Sequence, residues 1–231
     1  MQAADLVYFR VTEEETDLFI GAQRELQAQA RRAVLSVRAA VKETIQQRPL
    51  FQTSLSPLEP LGGEPDCILS MYRAGIAAGT GPMAAVAGMI AEAIGHTLKL
   101  YSQEIIVENG GDVFLSGLRQ RVVSIEAGNS PLSGRLGLKV LPGAGFSVCT
   151  SSGTYGHSLS FGKADAAVVA AKDAALADAV ATMLGNKCKN AAMLKEAVEW
   201  AASLPGVMGA VAVLGDKLAA AGEIEFVSLK G

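Results

Sequence analysis

The sequence predicts an α+β fold in which antiparallel sheets pack against helices. Segments rich in β-branched and aromatic residues, such as 6–11 (LVYFRV), are interspersed with segments of helical periodicity, such as 24–47, without a regular βαβ order. Asn-Gly-Gly at 109–111 lies between two apolar runs, which is the signal of an antiparallel hairpin. These observations favour antiparallel sheets over a doubly wound parallel sheet.

The strands and helices follow from the period of the apolar residues. Strands are predicted at 6–11, 17–20, 67–72, 104–107, 113–115, 121–126, 135–140, 146–149, 207–214 and 223–229, with GDKLAAAG connecting the last two. Helices are predicted at 24–47, 83–94, 175–185 and 190–203. The basic residues of the first helix are interpreted as its solvated back rather than an anion site; they are Arg24, Arg31, Arg32, Arg38 and Lys42.

The composition bounds the domain count and excludes several classes of protein. The 231 residues, 50% of them hydrophobic and 19% charged, suffice for one domain spanning 1–231, with the hairpin and helix of about residues 1–50 packed on the main body. A net charge of -3 argues against nucleic-acid binding. The stretch without charges at 74–91 is rich in Gly and Ala and contains Pro82, so we expect no membrane span.

Three cysteines, Cys67, Cys149 and Cys188, form neither a CxxC pair nor a disulfide framework. Together with an N-terminus that lacks the pattern of a signal peptide, they predict a cytoplasmic protein.

Two glycine-rich segments are candidates for binding an anion. Gly81-Pro82 precedes an apolar helix whose first turn has unpaired N–H groups, which could hold a phosphate. The alternative interpretation is a tightly packed core helix, and both interpretations can be true together. The hydroxyl-rich loop 150–153 offers hydroxyls and amides to phosphate oxygens, although such loops are common. His157 follows this loop, and it is either a hydrogen-bonded structural residue or a catalyst.

Carboxylates occur at two positions that suit a cation. Glu108 and Asp112 bracket the predicted Asn-Gly-Gly turn and suit ligand hydroxyls, a cation or solvent. Asp178 and Thr182 share one face of an otherwise apolar helix, and their oxygens suit Mg²⁺ or Ca²⁺. The structural alternative is that Thr182 bonds to a helix carbonyl while Asp178 meets a remote Lys or a backbone amide.

Four motif blocks resemble the ApbE superfamily. They are Gly81-Pro-Met-Ala-Ala, Gly110-Gly111-Asp112, Thr150-Ser-Ser-Gly with His157, and Ala177-Asp178-Ala-Val-Ala-Thr182. The founding members are FAD:protein FMN transferases, which use Mg²⁺ to move FMN from FAD onto a threonine of a target protein. More closely, the chain resembles an uncharacterised branch with GPMAAVAG, ENGGD and CTSSGTxGHSLSFGKADA motifs.

The resemblance implies a T-fold-like architecture in which two related halves surround a ligand cleft. It implies a bound FAD or FMN, an Mg²⁺ ion held by Asp178, Thr182 and the carbonyl of Ala84, and His157 as the group that activates an acceptor. Residues facing the nucleotide would be Gly81, Met83, Asn109, Gly110, Gly111, Asp112, Thr150, Ser151, Ser152 and Gly153. It also implies an acceptor protein and, with the high apolar content, a homodimer.

The chain departs from the transferases at two places, which keeps alternatives open. Ala85 stands where they have a lysine, and residues 158–163 replace their Asp-Pro and Thr-Gly segment; Lys163 is a candidate replacement for the missing charge. The chain is therefore interpreted as transferring FMN or cleaving FAD or, alternatively, as a non-catalytic binding or sensor module for a small anionic ligand. A third hypothesis makes Cys149 a nucleophile with His157 as its base.

Overall fold

The computed structural model describes residues 3–152 and 162–229. It shows three layers, in which helices cover one face of a large antiparallel sheet and a small antiparallel sheet covers the other. The predicted α+β class with antiparallel sheets is confirmed.

The large sheet has the strand order β1-β2-β3-β4-β7-β8-β9-β10, and every neighbouring pair is antiparallel. Its strands are β1 (Val7–Glu13), β2 (Thr16–Ala22), β3 (Ile105–Asn109), β4 (Asp112–Gly117), β7 (Gly143–Ser151), β8 (Ala166–Ala171), β9 (Val207–Leu214) and β10 (Lys217–Gly222). The small sheet, in the order β11-β6-β5, consists of β5 (Arg121–Ser124), β6 (Leu136–Val140) and β11 (Phe226–Ser228).

Six α-helices accompany these strands in the described part of the chain. They are α1 (Gln27–Gln47), α2 (Leu50–Thr53), α3 (Asp66–Ala78), α4 (Val86–Leu98), α5 (Ala174–Lys187) and α6 (Leu194–Ser203). Short 3₁₀ turns precede two of them, Pro82–Ala85 before α4 and Ala191–Met193 before α6. The Asn190 side chain accepts a hydrogen bond from the Ala192 amide, which confirms that Asn190 caps this segment.

Alternation along the central strands separates two hydrophobic cores. On β4, Phe114 faces the helices, whereas Val113 and Leu115 face the small sheet. On β7, Cys149 belongs to the helix side and Val148 to the opposite side. We call these sides the helix face and the outer face of the large sheet. Because both are covered, all six residues of β8 are buried.

Two of the predicted elements are wrong. Residues 67–72 form part of α3 and not a strand, because Ile68, Met71, Tyr72 and Gly75 recur every three or four residues and bury one helix face. The connection GDKLAAAG is a tight turn followed by β10, which pairs with β9 from Lys217 to Gly222. Strand β8 was not predicted, since its run of Ala and Val has no polar residue to reveal a period.

Within the described ranges, no single helix has both the length and the apolarity needed to cross a bilayer, and α3 with the segment Pro82–Leu98 would pass only as a pair bent by 107°.

Replacing Gly95 with Ala should destabilise the fold. The added Cβ would lie 2.2 Å from Cδ1 of Phe114, whose ring is fully buried and cannot move into solvent. We expect the free energy of unfolding to fall by about 1–3 kcal/mol, as in other overpacked cores, measured by urea denaturation. Gly143→Ala is the matched control, since nothing lies within 4 Å of its added Cβ. Equal stability of Gly95→Ala and the wild type would contradict this packing.

Candidate functional site

The turn between β3 and β4 explains the Asn-Gly-Gly motif in structural terms. Asn109 pairs with Asp112 across a two-residue turn, in which Gly110 and Gly111 have φ values of 63° and 106°. Both values lie in the left-handed region that glycine adopts without strain. The predicted hairpin is confirmed, and it places Asn109 and Asp112 side by side at the end of the large sheet.

Asp112 is buried on the helix face. Its Oδ1 accepts a hydrogen bond of 3.2 Å from the Thr150 amide, which joins the start of β4 to the end of β7. Only 6% of the residue surface is exposed, and this burial raises the pKa of the Asp112 carboxyl to about 7.

Asp178 projects from α5 towards the beginning of α4. Its Oδ2 accepts a hydrogen bond of 2.9 Å from the Gly88 amide. Although Asp178 as a residue is only partly buried, protein surrounds its carboxyl group. This burial, and next the charge of Asp112, raise its pKa well above the usual value.

Gly88 permits the contact between α4 and α5. A Cβ on Gly88 would lie 2.3 Å from the Ala174 carbonyl oxygen and 2.9 Å from the Asp178 Cβ. Ala174 in turn donates its amide to Glu92 Oε2 at 2.9 Å, so each helix supplies a carboxylate to the N-terminal turn of the other. Burial raises the pKa of Glu92. The sequence contained a signal for this contact in the small residues of GPMAAVAG.

Cys149 lies next to both aspartates. Its thiol donates to the Ala174 carbonyl oxygen at 3.6 Å. The residue is fully buried, and burial together with the charges of Asp112 and Asp178 raises the pKa of the thiol. A thiol in this environment stays protonated, which argues against the hypothesis of a Cys149 nucleophile.

Asp112 and Asp178, which we call the acidic pair, fit a cation in chemical terms. In the described ranges 3–152 and 162–229, no ion pair forms between either carboxylate and a basic side chain. The hydroxyl of Ser151, which is also buried, finds no hydrogen-bond partner among the described residues. Buried carboxylates without a basic partner, and a buried hydroxyl without a hydrogen bond, are groups that a bound ion or ligand would stabilise.

The residues expected to hold a metal lie on two neighbouring elements. Thr182 is partly buried one turn after Asp178 on α5, and Ala84 lies in the 3₁₀ turn before α4. The amide alternative for Asp178 is realised at one oxygen by Gly88. Among the described residues there is no group of three or more His, Cys, Asp and Glu side chains arranged for a metal.

Two cavities open on opposite faces of the β3–β4 hairpin. The helix-face cavity, of about 390 Å³, is lined by Glu14, Glu15, Thr16, Arg38, Val41, Lys42, Ile45, Gln52, Met83, Val86, Ala87, Ile90 and Asn109. The outer cavity, of about 510 Å³, lies between the large sheet and β5, and its lining includes Tyr8, Phe19, Glu108, Gly111, Val123 and Thr150. Of the residues expected to face a nucleotide, Met83 and Asn109 therefore line one cavity, and Gly111 and Thr150 line the other.

The remaining expected residues have mixed placements. A Cβ on Gly81 would lie 1.7 Å from the Ser54 carbonyl oxygen, so the close approach of the chain requires glycine there. Ser152 directly follows β7. Gly153 and His157 lie outside the described residues.

The basic residues of α1 are not simply solvated. Arg31 pairs with Glu13 at 2.5 Å, and Arg38 and Lys42 pair with Glu14 and Glu15 of the β1–β2 turn. Arg38 and Lys42 also line the helix-face cavity, which sequence reasoning missed. The i, i+4 spacing of these two residues was visible, but only the fold shows which surface they face.

Comparison with known proteins gives relatives along nearly the whole chain. A family model described as AbpE bacteria matches residues 1–215. A UPF0280 protein from Methanocella arvoryzae is 42% identical over 196 residues, which cover 83% of this chain and 78% of the relative. A UPF0280 protein from Methanopyrus kandleri is 40% identical over 230 residues, which cover 96% and 93%.

Solved structures share the fold at low sequence identity. The flavinyl transferase ApbE of Pseudomonas stutzeri, in its apo form, matches with a TM-score of 0.57, 14% identity and 94% of each chain covered. The flavin transferase ApbE of Vibrio cholerae matches with a TM-score of 0.58 and 14% identity over 96% of this chain and 98% of that one. The ApbE protein of Thermotoga maritima matches with a TM-score of 0.60 and 13% identity over 93% and 96%.

The acidic pair should make stability depend on pH. The pKa of Asp112 is raised in the folded state, so the folded protein binds more protons than the unfolded chain between about pH 4 and 7. Its stability therefore falls as the pH rises through this window. In metal-free buffer, Asp112→Asn should show less of this loss, because only Asp178 of the acidic pair still contributes to it, and its free energy of unfolding should exceed that of the wild type by a few kcal/mol more at pH 8 than at pH 4.5.

Urea denaturation at several pH values measures this difference. Asp216→Asn, in the exposed β9–β10 turn, is the control and should follow the wild type at every pH. Parallel pH profiles for Asp112→Asn and the wild type would contradict the raised pKa.

Proposed function

This chain belongs to the family described as AbpE bacteria, and from that premise we propose that it binds a flavin nucleotide together with a divalent metal ion. The proposed nucleotide site is the helix-face cavity. The proposed metal site is the adjoining region of Asp178, Thr182 and the Ala84 carbonyl, with Asp112 close to it.

The acidic pair carries this proposal. Both carboxylates are unfavourable in the ionised form because burial removes their solvation, and the charge of Asp112 further raises the pKa of Asp178. A divalent cation offsets both effects, and carboxylate and hydroxyl oxygens suit a hard ion such as Mg²⁺. When bound, such an ion would neutralise charge on phosphoryl oxygens.

The helix-face cavity adjoins the acidic pair through two residues. Ala87 lines the cavity and directly precedes Gly88, whose amide donates to Asp178, and the Asn109 side chain donates to the Ala87 carbonyl at 3.0 Å. The volume of about 390 Å³ lies in the range of small-molecule sites. Apolar side chains, including Met83 and Ile90, would contact the ring system, while Asn109 offers polar groups. The names of the solved neighbours, flavin transferases, support a flavin as the ligand.

The proposed reaction is cleavage of FAD with transfer of FMN. The oxygen of an acceptor hydroxyl, from a protein or from water, attacks the phosphorus of the FMN part. The bond to the AMP oxygen breaks, AMP leaves, and His157 takes the proton of the acceptor.

We further propose a single domain that works in the cytoplasm as a homodimer. Cys67, Cys149 and Cys188 are all free, which supports a reducing compartment. The N-terminal hairpin contributes β1 and β2 to the large sheet, which supports treating residues 1–50 as part of the same body.

The alternative function is a binding module without turnover. Ala85 is fully buried in the 3₁₀ turn, so no charge comes from the position where the transferases carry lysine. Lys163 is exposed, and its amide bonds to the Cys188 carbonyl at the C-terminal end of α5. A site without a positive charge at the scissile phosphate would bind the nucleotide yet leave it intact.

Binding of FMN should require a divalent cation and Asp178. We expect FMN to bind the wild type more tightly with Mg²⁺ than with EDTA, because the cation links the phosphate to the protein. Asp178→Ala should weaken binding in Mg²⁺ by at least about tenfold, as truncating one member of a charged contact commonly does. Quenching of flavin fluorescence measures both effects.

Asp216→Ala, which removes an exposed carboxylate far along the chain from this site, is the control and should bind like the wild type. Circular dichroism checks that Asp178→Ala is folded, because the mutation also removes the acceptor of the Gly88 amide. Equal FMN affinities with Mg²⁺ and with EDTA would contradict the metal site.

Release of AMP distinguishes the enzyme from the binding module. The protein incubated with FAD and Mg²⁺ should release AMP if it transfers FMN or cleaves FAD. Chromatography measures the released AMP. His157→Ala should lower the rate by about 100-fold, the usual contribution of a general base. Tight binding of FAD without AMP release, with or without a protein acceptor, would favour the binding module.

A further inference from the structure

We infer that Arg38 and Lys42 of α1 bind the phosphate group of the nucleotide in the helix-face cavity. This inference rests on the proposed function and adds to it the residues that recognise the anionic part of the ligand.

The two side chains are the basic groups of the described cavity lining. They are one helical turn apart on α1, so both point to the same surface. The Arg38 side chain is only 12% exposed, and its Nη1 donates to Thr16 Oγ1 at 2.7 Å, which fixes the guanidinium against β2. Lys42 is 52% exposed and reaches the same place from the solvent side. The planar guanidinium of Arg38, held by Thr16, and the ammonium group of Lys42 together suit the oxygens of a phosphate.

Two other groups could contact a phosphate, the N-terminal amides of α4 and the side chain of Lys163, but neither is available in this cavity. The Gly88 amide in the first turn of α4 donates to Asp178, so this helix N-terminus is occupied by a side chain of the protein itself. Lys163 is not part of the cavity lining. The cations of α1 therefore remain as the charged groups that a phosphate in the cavity would meet.

The present partners of Arg38 and Lys42 are carboxylates that imitate an anionic ligand. Arg38 Nη2 donates to Glu14 at 2.7 Å and to Glu15 at 2.6 Å, and Lys42 Nζ donates to both oxygens of Glu14 at 2.6 and 2.7 Å. Glu14 and Glu15 are 55% and 84% exposed, so water screens these ion pairs and they are weak. A phosphate can displace them at small cost.

The backbone at Glu14 supports a specific role for this turn. Its φ is 52°, and it is the one non-glycine residue with positive φ in the described ranges. A long side chain is unfavourable in this conformation, whereas glycine adopts it freely. The two-residue turn nevertheless presents a carboxylate to both cations. Strain of this kind is typical of ligand clamps and switch segments.

Arg31 provides a matched control on the same helix. It lies seven residues before Arg38, on the same side of α1, and it also pairs with a glutamate of the β1–β2 hairpin, Glu13. Its side chain is 65% exposed and does not line the helix-face cavity. Removing its charge changes the net charge by the same amount without touching the proposed phosphate position.

Affinities for FMN and riboflavin, which differ only by the phosphate, test the inference. In Mg²⁺, Lys42→Gln and Arg38→Gln should each weaken FMN binding about tenfold and leave riboflavin binding unchanged, since each removes one charge-assisted hydrogen bond to phosphate. Arg31→Gln should bind both flavins like the wild type. Flavin fluorescence measures the dissociation constants, and circular dichroism confirms folding.

Glu14→Gly is a second test of the inference, and it remains informative even if Arg38→Gln does not fold. It removes the competing carboxylate and places glycine at a positive φ, so the fold should be retained. FMN should bind about threefold more tightly, and riboflavin should be unaffected.

The outcomes separate this inference from the proposed function. If the wild type binds FMN but Lys42→Gln, Arg38→Gln and Glu14→Gly all bind it with wild-type affinity, the assignment of the phosphate is wrong and the flavin site stands. If these variants weaken FMN and riboflavin equally, the assignment is also wrong. If the wild type binds neither flavin, the proposed function fails and the inference fails with it.

Discussion

The reciprocal capping of α4 and α5 is the interaction on which the site and the core both depend. Asp178 of α5 accepts from the Gly88 amide of α4, and Glu92 of α4 accepts from the Ala174 amide of α5. On α4, Glu92 lies four residues after Gly88, and on α5, Asp178 lies four residues after Ala174. The two contacts are therefore equivalent, and the antiparallel helix pair has local twofold character. The absence of a side chain at Gly88 allows this approach. The capped pair then covers the helix face of β4 and β7 and fixes Asp178 beside Asp112 and Cys149.

Coverage of both faces of the large sheet explains why charge is so costly at this place. The helices exclude water from one face and the small sheet from the other, so Asp112 and Asp178 ionise in a region with few solvating groups. The turn Asn109–Asp112 nevertheless brings a carboxylate to this region, and the end of β7 adds the buried hydroxyl of Ser151, which has no hydrogen-bond partner in the described ranges. Asn109, Asp112 and Ser151 are thus buried polar residues at the same end of the central strands.

The sequence predicts local features of this arrangement and misses the long-range ones. The period of α1, the Asn-Gly-Gly turn and the shared face of Asp178 and Thr182 depend on residues a few positions apart, and each was visible in the sequence. The bond from Gly88 to Asp178 joins residues 90 positions apart, which no local pattern reveals. Strand β8 was missed because burial of every residue removes the polar positions that mark a period, and helix α3 because its short apolar run at 67–72 fits a strand as well as a helix. The division of the expected ligand residues between two cavities depends on strand alternation at Asn109 and Thr150, which only the register of the sheet settles.

A structural cap alone does not explain why residue 178 is an aspartate. The Gly88 amide needs only an acceptor oxygen, which asparagine also provides, without a charge. The positive end of α4 favours a carboxylate, yet the pKa of Asp178 is raised and not lowered, so burial and the neighbouring Asp112 outweigh that dipole. The ionised form of Asp178 is therefore a net cost to the protein by itself. Under the proposed function a cation at the acidic pair would offset this cost, so the requirements of the fold and of the proposed site differ at this residue.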